Sequence, residues 1–173
     1  MADIGAYAGV GMSALYRRYP SKHALVASLV AETRAAYEAE IARATQRLRA
    51  GDPAWDVYTC FLGALVDANA HFVTPGSPQI AHILEQDPTT WHALTHQNQA
   101  LFATVQATGV LRPGIEFIDI GLLLGAISAV RGENPERSHH LRRRVLAVVI
   151  DGLRPELAPL TGQTPTTADY QAP

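Results

Sequence analysis

Apolar positions recur at three- and four-residue steps along almost the whole chain, the spacing of helices that each bury one face. From 21 to about 49 the stripe is Leu25, Leu29, Thr33, Tyr37, Ile41, Ala44 and Leu48. It predicts one long helix of about 40 Å at 1.5 Å per residue. Gly51-Asp52-Pro53 ends it and opens the next, with Asp52 as cap and Pro53 at the first helical position. That helix is expected to run from 53 to about 73, with Val57, Phe61, Leu65, Ala68 and Phe72 on one face. A Pro- and Gly-bearing loop over 74–78 precedes a shorter helix over about 79–86. Asp87-Pro88 repeats the cap-and-proline start. The helix it opens reaches about 108, with Trp91, Leu94, Leu101 and Val105 on one side. Two further helices are expected over 115–132 and 136–153. No β-type alternation and no internal repeat stands out, so the fold class is all-α.

The last two helices are apolar round most of their circumference, and a helix greasy on more than one face must bury more than one face. One face can meet the chain's own core. The other is best met by a second copy, giving a four-helix homodimer interface. Its expected residues are Ile118, Leu122 and Gly125 on the first helix, and Leu141, Val145, Val148 and Val149 on the second. The alternative is a helix buried wholly within its own chain. From Arg154 onward the sequence is rich in Pro and Thr, and residues 155–173 read as a flexible tail.

The amino end has a different pattern. A short helix, a turn at Ala8-Gly9-Val10-Gly11 and a second helix over 12–19 make a compact unit, stopped by Pro20. Ile4, Val10 and Leu15 are the apolar positions that would pin it, and Ser21 can cap the long helix that follows. The other side offers Ser13, Tyr16, Arg17, Arg18 and Lys22, which donate hydrogen bonds to phosphate oxygens. A helix of this size, led by the small Gly11, Ser13 and Ala14, fits the major groove of B-DNA.

Asp3, Ile4, Ala8, Gly9, Val10, Leu15, Tyr16, Arg17, Tyr19, Pro20, Ser21, Lys22 and Leu25 stand at the spacing of a known signature. It resembles the DNA-binding segment of tetracycline-repressor-type (TetR family) regulators. The close match covers only the first ~30 residues; the rest is similar to the family in helical layout. The resemblance implies that Tyr16 and Lys22 hold phosphates. It makes Arg18 a further phosphate contact and puts Gly11, Met12, Ser13 and Ala14 toward the bases, and Arg17 belongs to the same DNA-binding set. Members of that family usually carry another helix before the segment that begins here. The expectation is therefore a head (residues 1–30) without its first helix, through a clipped or misassigned start or a real loss, with operator binding weakened or lost. Residues 31–154 would form the ligand-binding and dimerisation bundle.

Composition changes this picture little. Of 173 residues, 47% are hydrophobic and 17% charged, as in a folded chain with a sizeable core. The formal net charge of −2 does not by itself suggest nucleic acid, but residues 1–34 carry +2 and the remainder −4. A locally basic head on an acidic body suits a regulator. Cys60 is alone, which excludes an internal disulfide and suggests a reducing, cytoplasmic setting. No signal peptide is visible, and the longest apolar run, 121–130, is short of the ~20 residues that span a bilayer. No membrane partner is expected.

Candidate chemistry is sparse. His92 and His96 stand four apart, a spacing that can share a metal, but they fall opposite the apolar stripe of their helix and read as solvent-facing. His139 and His140 read as surface groups near a helix start, and Cys60 as a buried, inert thiol. With no serine elbow, glycine phosphate loop or carboxylate pair, no enzyme, metal or cofactor is expected. A small-molecule pocket is. Trp55, Tyr58, Phe61, Phe72, Trp91 and Phe102 lie on the central helices, with His71, His82 and Asn98 as scattered polar groups. An apolar cavity with few polar groups is how such sites are built. The competing reading is that these aromatics simply fill the core. The scarcity of charge in these helices points to a largely apolar ligand. Together these features predict a dimeric, ligand-responsive transcriptional regulator of repressor type. The alternative is a dimeric small-molecule-binding protein that no longer reads DNA.

Overall fold

The computed structural model describes residues 1–68, 88–158 and 160–166. Among these residues there are seven helices and no strand. They are α1 (Ala2–Ala8), α2 (Met12–Arg18), α3 (Lys22–Arg49), α4 (Ala54–Asp67), α5 (Pro88–Gln106), α6 (Phe117–Ala129) and α7 (Pro135–Gly152). The expected short helix over 79–86 and the end of the helix expected to reach 73 lie outside the described residues.

α4 is the hub. It packs on α3, α5 and α7, while α6 packs on α7 and α3 on α5. Seven of its fourteen residues are buried: Val57, Tyr58, Phe61, Leu62, Gly63, Leu65 and Val66. The core closes round them with Ile41 and Ala44 from α3, Leu94, Leu101, Phe102 and Val105 from α5, Ile120, Leu124 and Ile127 from α6, and Leu146 from α7. Each fully buried side chain of this size stabilises the fold by roughly 1.5–3 kcal/mol.

α1 and α2 pack on each other to form a small head. Leu15 is buried in it, and Leu25 and Val30 on α3 are buried as well, all three outside the main core cluster. Tyr7 stays 79% exposed and Val10 is exposed as well, although Val10 was expected to pin the unit.

The stripe read along α3 is two stripes. Leu29 is half exposed and Val30 is buried in its place. At 100° per residue, Val30, Tyr37, Ile41, Ala44 and Leu48 fall within about 60° of one another, whereas Leu25 lies more than about 100° from most of them. A helix that serves a head at one end and a body at the other has two inward directions, and Leu29 falls between them.

The ends of the helices follow local chemistry. Ser21 Oγ accepts from the Ala24 N–H at 3.0 Å, so the expected cap of α3 is formed. Asp52 does not cap α4. Its Oδ2 accepts from Arg47 Nε at 2.7 Å, and Pro53 takes the cap position. A guanidinium within reach offers a charge-assisted bond stronger than a neutral N–H. Asn134 Oδ1 caps α7 at the Arg137 N–H, 2.8 Å away. Beyond α7, Arg112 Nε donates to the Ala158 carbonyl at 2.6 Å and the Arg154 guanidinium lies 5.1 Å above the Trp55 ring, so residues 154–158 are fastened to the body.

Candidate functional site

In the head, Gly9 ends α1 in the left-handed region (φ 64°), where its lack of a Cβ removes the strain an L side chain would carry. The Gly9 and Val10 N–H groups then close on the carbonyls of Ala6 (3.3 Å) and Gly5 (3.0 Å), turning the chain sharply into α2. Gly5 allows the close crossing. A Cβ there would meet Met12 Sδ at 3.0 Å and the Val10 carbonyl oxygen at 3.1 Å.

α2 is fixed through Leu15, which is buried. On the helical wheel Ser13 and Arg17 fall opposite Leu15 and Tyr16 about 100° from it, and all three are exposed. Met12 and Arg18 flank Leu15 at about 60° to either side. Met12 accordingly leans on Gly5, and Arg18 Nε donates to Tyr19 Oη at 3.0 Å. That bond is the first cause holding the Arg18 guanidinium above its ordinary pKa. Gly11 and Ala14 are exposed at the start of α2, and Lys22 is exposed at the first position of α3. The eight residues expected to face DNA are thus all exposed, with Ser13 and Arg17 on the outermost line, Tyr16 beside them and Arg18 turned onto its neighbour.

In the body, three of the nine expected pocket residues, Tyr58, Phe61 and Phe102, meet in a packed series of rings. Tyr37 stacks on Phe61 (6.2 Å between centroids), Phe61 on Tyr58 (6.0 Å), and Tyr58 meets Phe102 edge-on (6.2 Å). Phe102 in turn meets Phe117 edge-on at 6.0 Å. Asn98 sits within the buried stripe of α5 and its Nδ2 donates to Tyr37 Oη. Burial first, then the nearby Tyr37 phenol, pushes the Tyr58 hydroxyl far above its ordinary pKa, so it stays protonated. Trp55 and Trp91 are half-buried at the margin of the core. His71, Phe72 and His82 lie outside the described residues.

On α6, Ile120, Leu124 and Ile127 point inward and Ile118, Leu122 and Gly125 lie on the opposite side. Leu122 is exposed, and a Cβ on Gly125 would meet nothing within 4 Å. On α7, Leu141, Val145 and Val148 form one line, Val148 being 70% exposed, while Leu146 is buried; Val149 is half-buried beside them.

A family model described as the C-terminal domain of SbtR-like transcriptional regulators matches residues 58–155, more than half of the chain. The chain belongs to the TetR family of transcriptional regulators. A solved TetR transcriptional regulator from Streptomyces coelicolor, SCO0520, is similar at 25% identity. The match spans 89% of this chain and 86% of that one, with a TM-score of 0.47. No curated protein matches.

For a TetR-family body, the structure brings in residues that the sequence did not single out as site residues. Tyr37 and Phe117 complete the ring series at its two ends. Tyr37 stood in the α3 stripe, so its place was readable; Phe117 opens α6 and carried no such signal. Cys60 departs from expectation. It is exposed, on the side of α4 away from Leu62, and it lies near Arg47, whose guanidinium is held above its ordinary pKa first by Asp52 and then by Cys60. Its place opposite the apolar stripe of α4 was the available signal. His92 and His96 are exposed, and no group of three or more metal-ligating side chains occurs among the described residues. His139 Nε2 lies 3.5 Å from Asp67, which also takes Arg143 Nε at 3.4 Å. No described helix is long and apolar enough to cross a membrane.

Proposed function

We propose that this TetR-family chain is a ligand-responsive repressor that binds palindromic operator DNA as a homodimer. Residues 1–30 are the reading head and residues 31–154 the sensing and pairing body. One observation carries this reading. Ser13 and Arg17 stand exposed opposite the buried Leu15 with Tyr16 exposed at their side, and Lys22 opens a 28-residue helix that runs unbroken to the ring series at Tyr37. Two such heads hold a palindromic site when their α2 helices sit about one DNA turn, ~34 Å, apart. A small, largely apolar ligand that binds better when the α3 helices swing apart shifts the population away from that spacing. Leu122, Val145 and Val148 are the exposed apolar side chains that a second copy would cover.

A second reading is a dimeric small-molecule-binding protein that does not read DNA. It is favoured by the thin core of the head, where Leu15 and Leu25 are the large buried side chains and Tyr7 and Leu29 remain exposed. Selection of bound duplexes from a random DNA pool separates the two. The repressor reading expects an inverted repeat with half-sites about ten base pairs apart, centre to centre. Recovery of no enriched sequence sinks it and leaves the second reading.

A further inference from the structure

The ring series contains two polar side chains with hydrogen-bonding capacity to spare. Tyr58 is 1% exposed and its ring is held by Phe61 and Phe102, yet its hydroxyl has no hydrogen-bond partner among the described residues. Asn98, 9% exposed, gives one amide hydrogen to Tyr37 Oη, and its Oδ1 has no partner among the described residues. Tyr37 links the two: it takes the Asn98 bond and lies close enough for its phenol to act on that of Tyr58. Buried polar atoms are paired with protein, water or a ligand in nearly every folded chain. Here an orphaned donor and an orphaned acceptor sit on facing helices, α4 and α5, within one aromatic cluster.

We propose that the ligand of this core is a small, uncharged, hydroxyl-bearing arene whose hydroxyl accepts from Tyr58 Oη and donates to Asn98 Oδ1. The inference rests on the ligand-responsive reading above. The chemistry excludes the neighbouring classes. Among the described residues the buried charged side chain is Arg142, which lies on α7 and donates to the Val130 carbonyl, and the rings round Tyr58 and Asn98 are uncharged, so a carboxylate or ammonium among them would be desolvated without a counter-charge. A plain hydrocarbon would leave both polar atoms orphaned. A hydroxyl is both acceptor and donor, and so answers both at once. A site built to bond a hydroxyl discriminates strongly against the analogue that lacks it.

The test uses the full chain and three probes of matched shape: para-ethylphenol, ethylbenzene and para-ethylbenzoate, titrated by calorimetry. The phenol is expected to bind at least about tenfold more tightly than the arene, and the benzoate not to bind. In Tyr58→Phe the preference for phenol should vanish while ethylbenzene binding is unchanged. The ligand-free melting temperature of that variant should equal or exceed that of the original chain, because no bond is lost. Equal affinity for phenol and arene, or a ligand-free Tyr58→Phe that melts lower, overturns the proposal. DNA release is read separately. Phenol binding without release overturns the ligand-responsive reading and leaves the polar site standing. Release by a probe indifferent to Tyr58→Phe does the reverse.

Discussion

Tyr58 shows how far a single position could be read. Its burial follows from its place on α4 between Val57 and Phe61, and the sequence makes it an aromatic of the central helices. That its hydroxyl lacks a bond among the described residues does not follow, because the partner of a phenol is decided by what three other helices bring near it. The burial has a consequence for alkaline stability. A tyrosine whose folded pKa lies above its unfolded value of about 10 contributes stability that is whole below that pH. Above it the unfolded chain loses the proton and the folded chain keeps it, so stability falls as pH rises. Urea unfolding at pH 8 and 11 is expected to show Tyr58→Phe losing less stability across that interval than the original chain; equal losses would contradict the buried, neutral phenol. Cys60 and Asp52 teach the complementary lesson. Residue type points to a core thiol and a cap, but Cys60 is exposed off the apolar stripe of α4 and the Asp52 carboxylate takes the Arg47 guanidinium instead.

At the scale of elements, helix existence was legible and helix direction was not. Steps of three and four residues gave α3 to α7, and the glycines and Pro20 marked the turns of the head. The single stripe along α3 failed because periodicity assumes one partner, whereas α3 has a head at one end and a body at the other. On α6 and α7 the apolar excess was legible as a second face, and Leu122, Val145 and Val148 are exposed on it. Val148→Asp puts a charge on that face at a side chain 70% exposed in one copy, so the fold has little to lose. Light scattering at micromolar concentration is expected to give a monomer for Val148→Asp and a dimer for the original chain, with matching circular dichroism. A dimer in both would move the pairing surface elsewhere. Inside α4, Leu62→Ala removes a side chain buried from every side and is expected to cost about 2–5 kcal/mol in chemical unfolding. A cost under about 1 kcal/mol would mean that α4 is not the hub.

For the molecule as a whole, the family could be read from the first thirty residues, while the matching family model lies at the other end, over residues 58–155. The two ends agree although they share no residue. What the sequence withheld is the join: how a small polar face on α2 is carried by α3 to a ring series fifteen residues and more along the same helix. That join is the central claim, and the salt dependence of DNA binding tests its DNA end most directly. Fluorescence anisotropy with a selected palindrome, across a range of potassium chloride concentrations, compares the original chain with Lys22→Ala and Tyr16→Phe. Both variants are expected to bind every sequence more weakly by a similar factor, with the salt slope for Lys22→Ala shallower by about one. Unchanged affinity and slope in both, or a loss confined to one base position, would contradict the account.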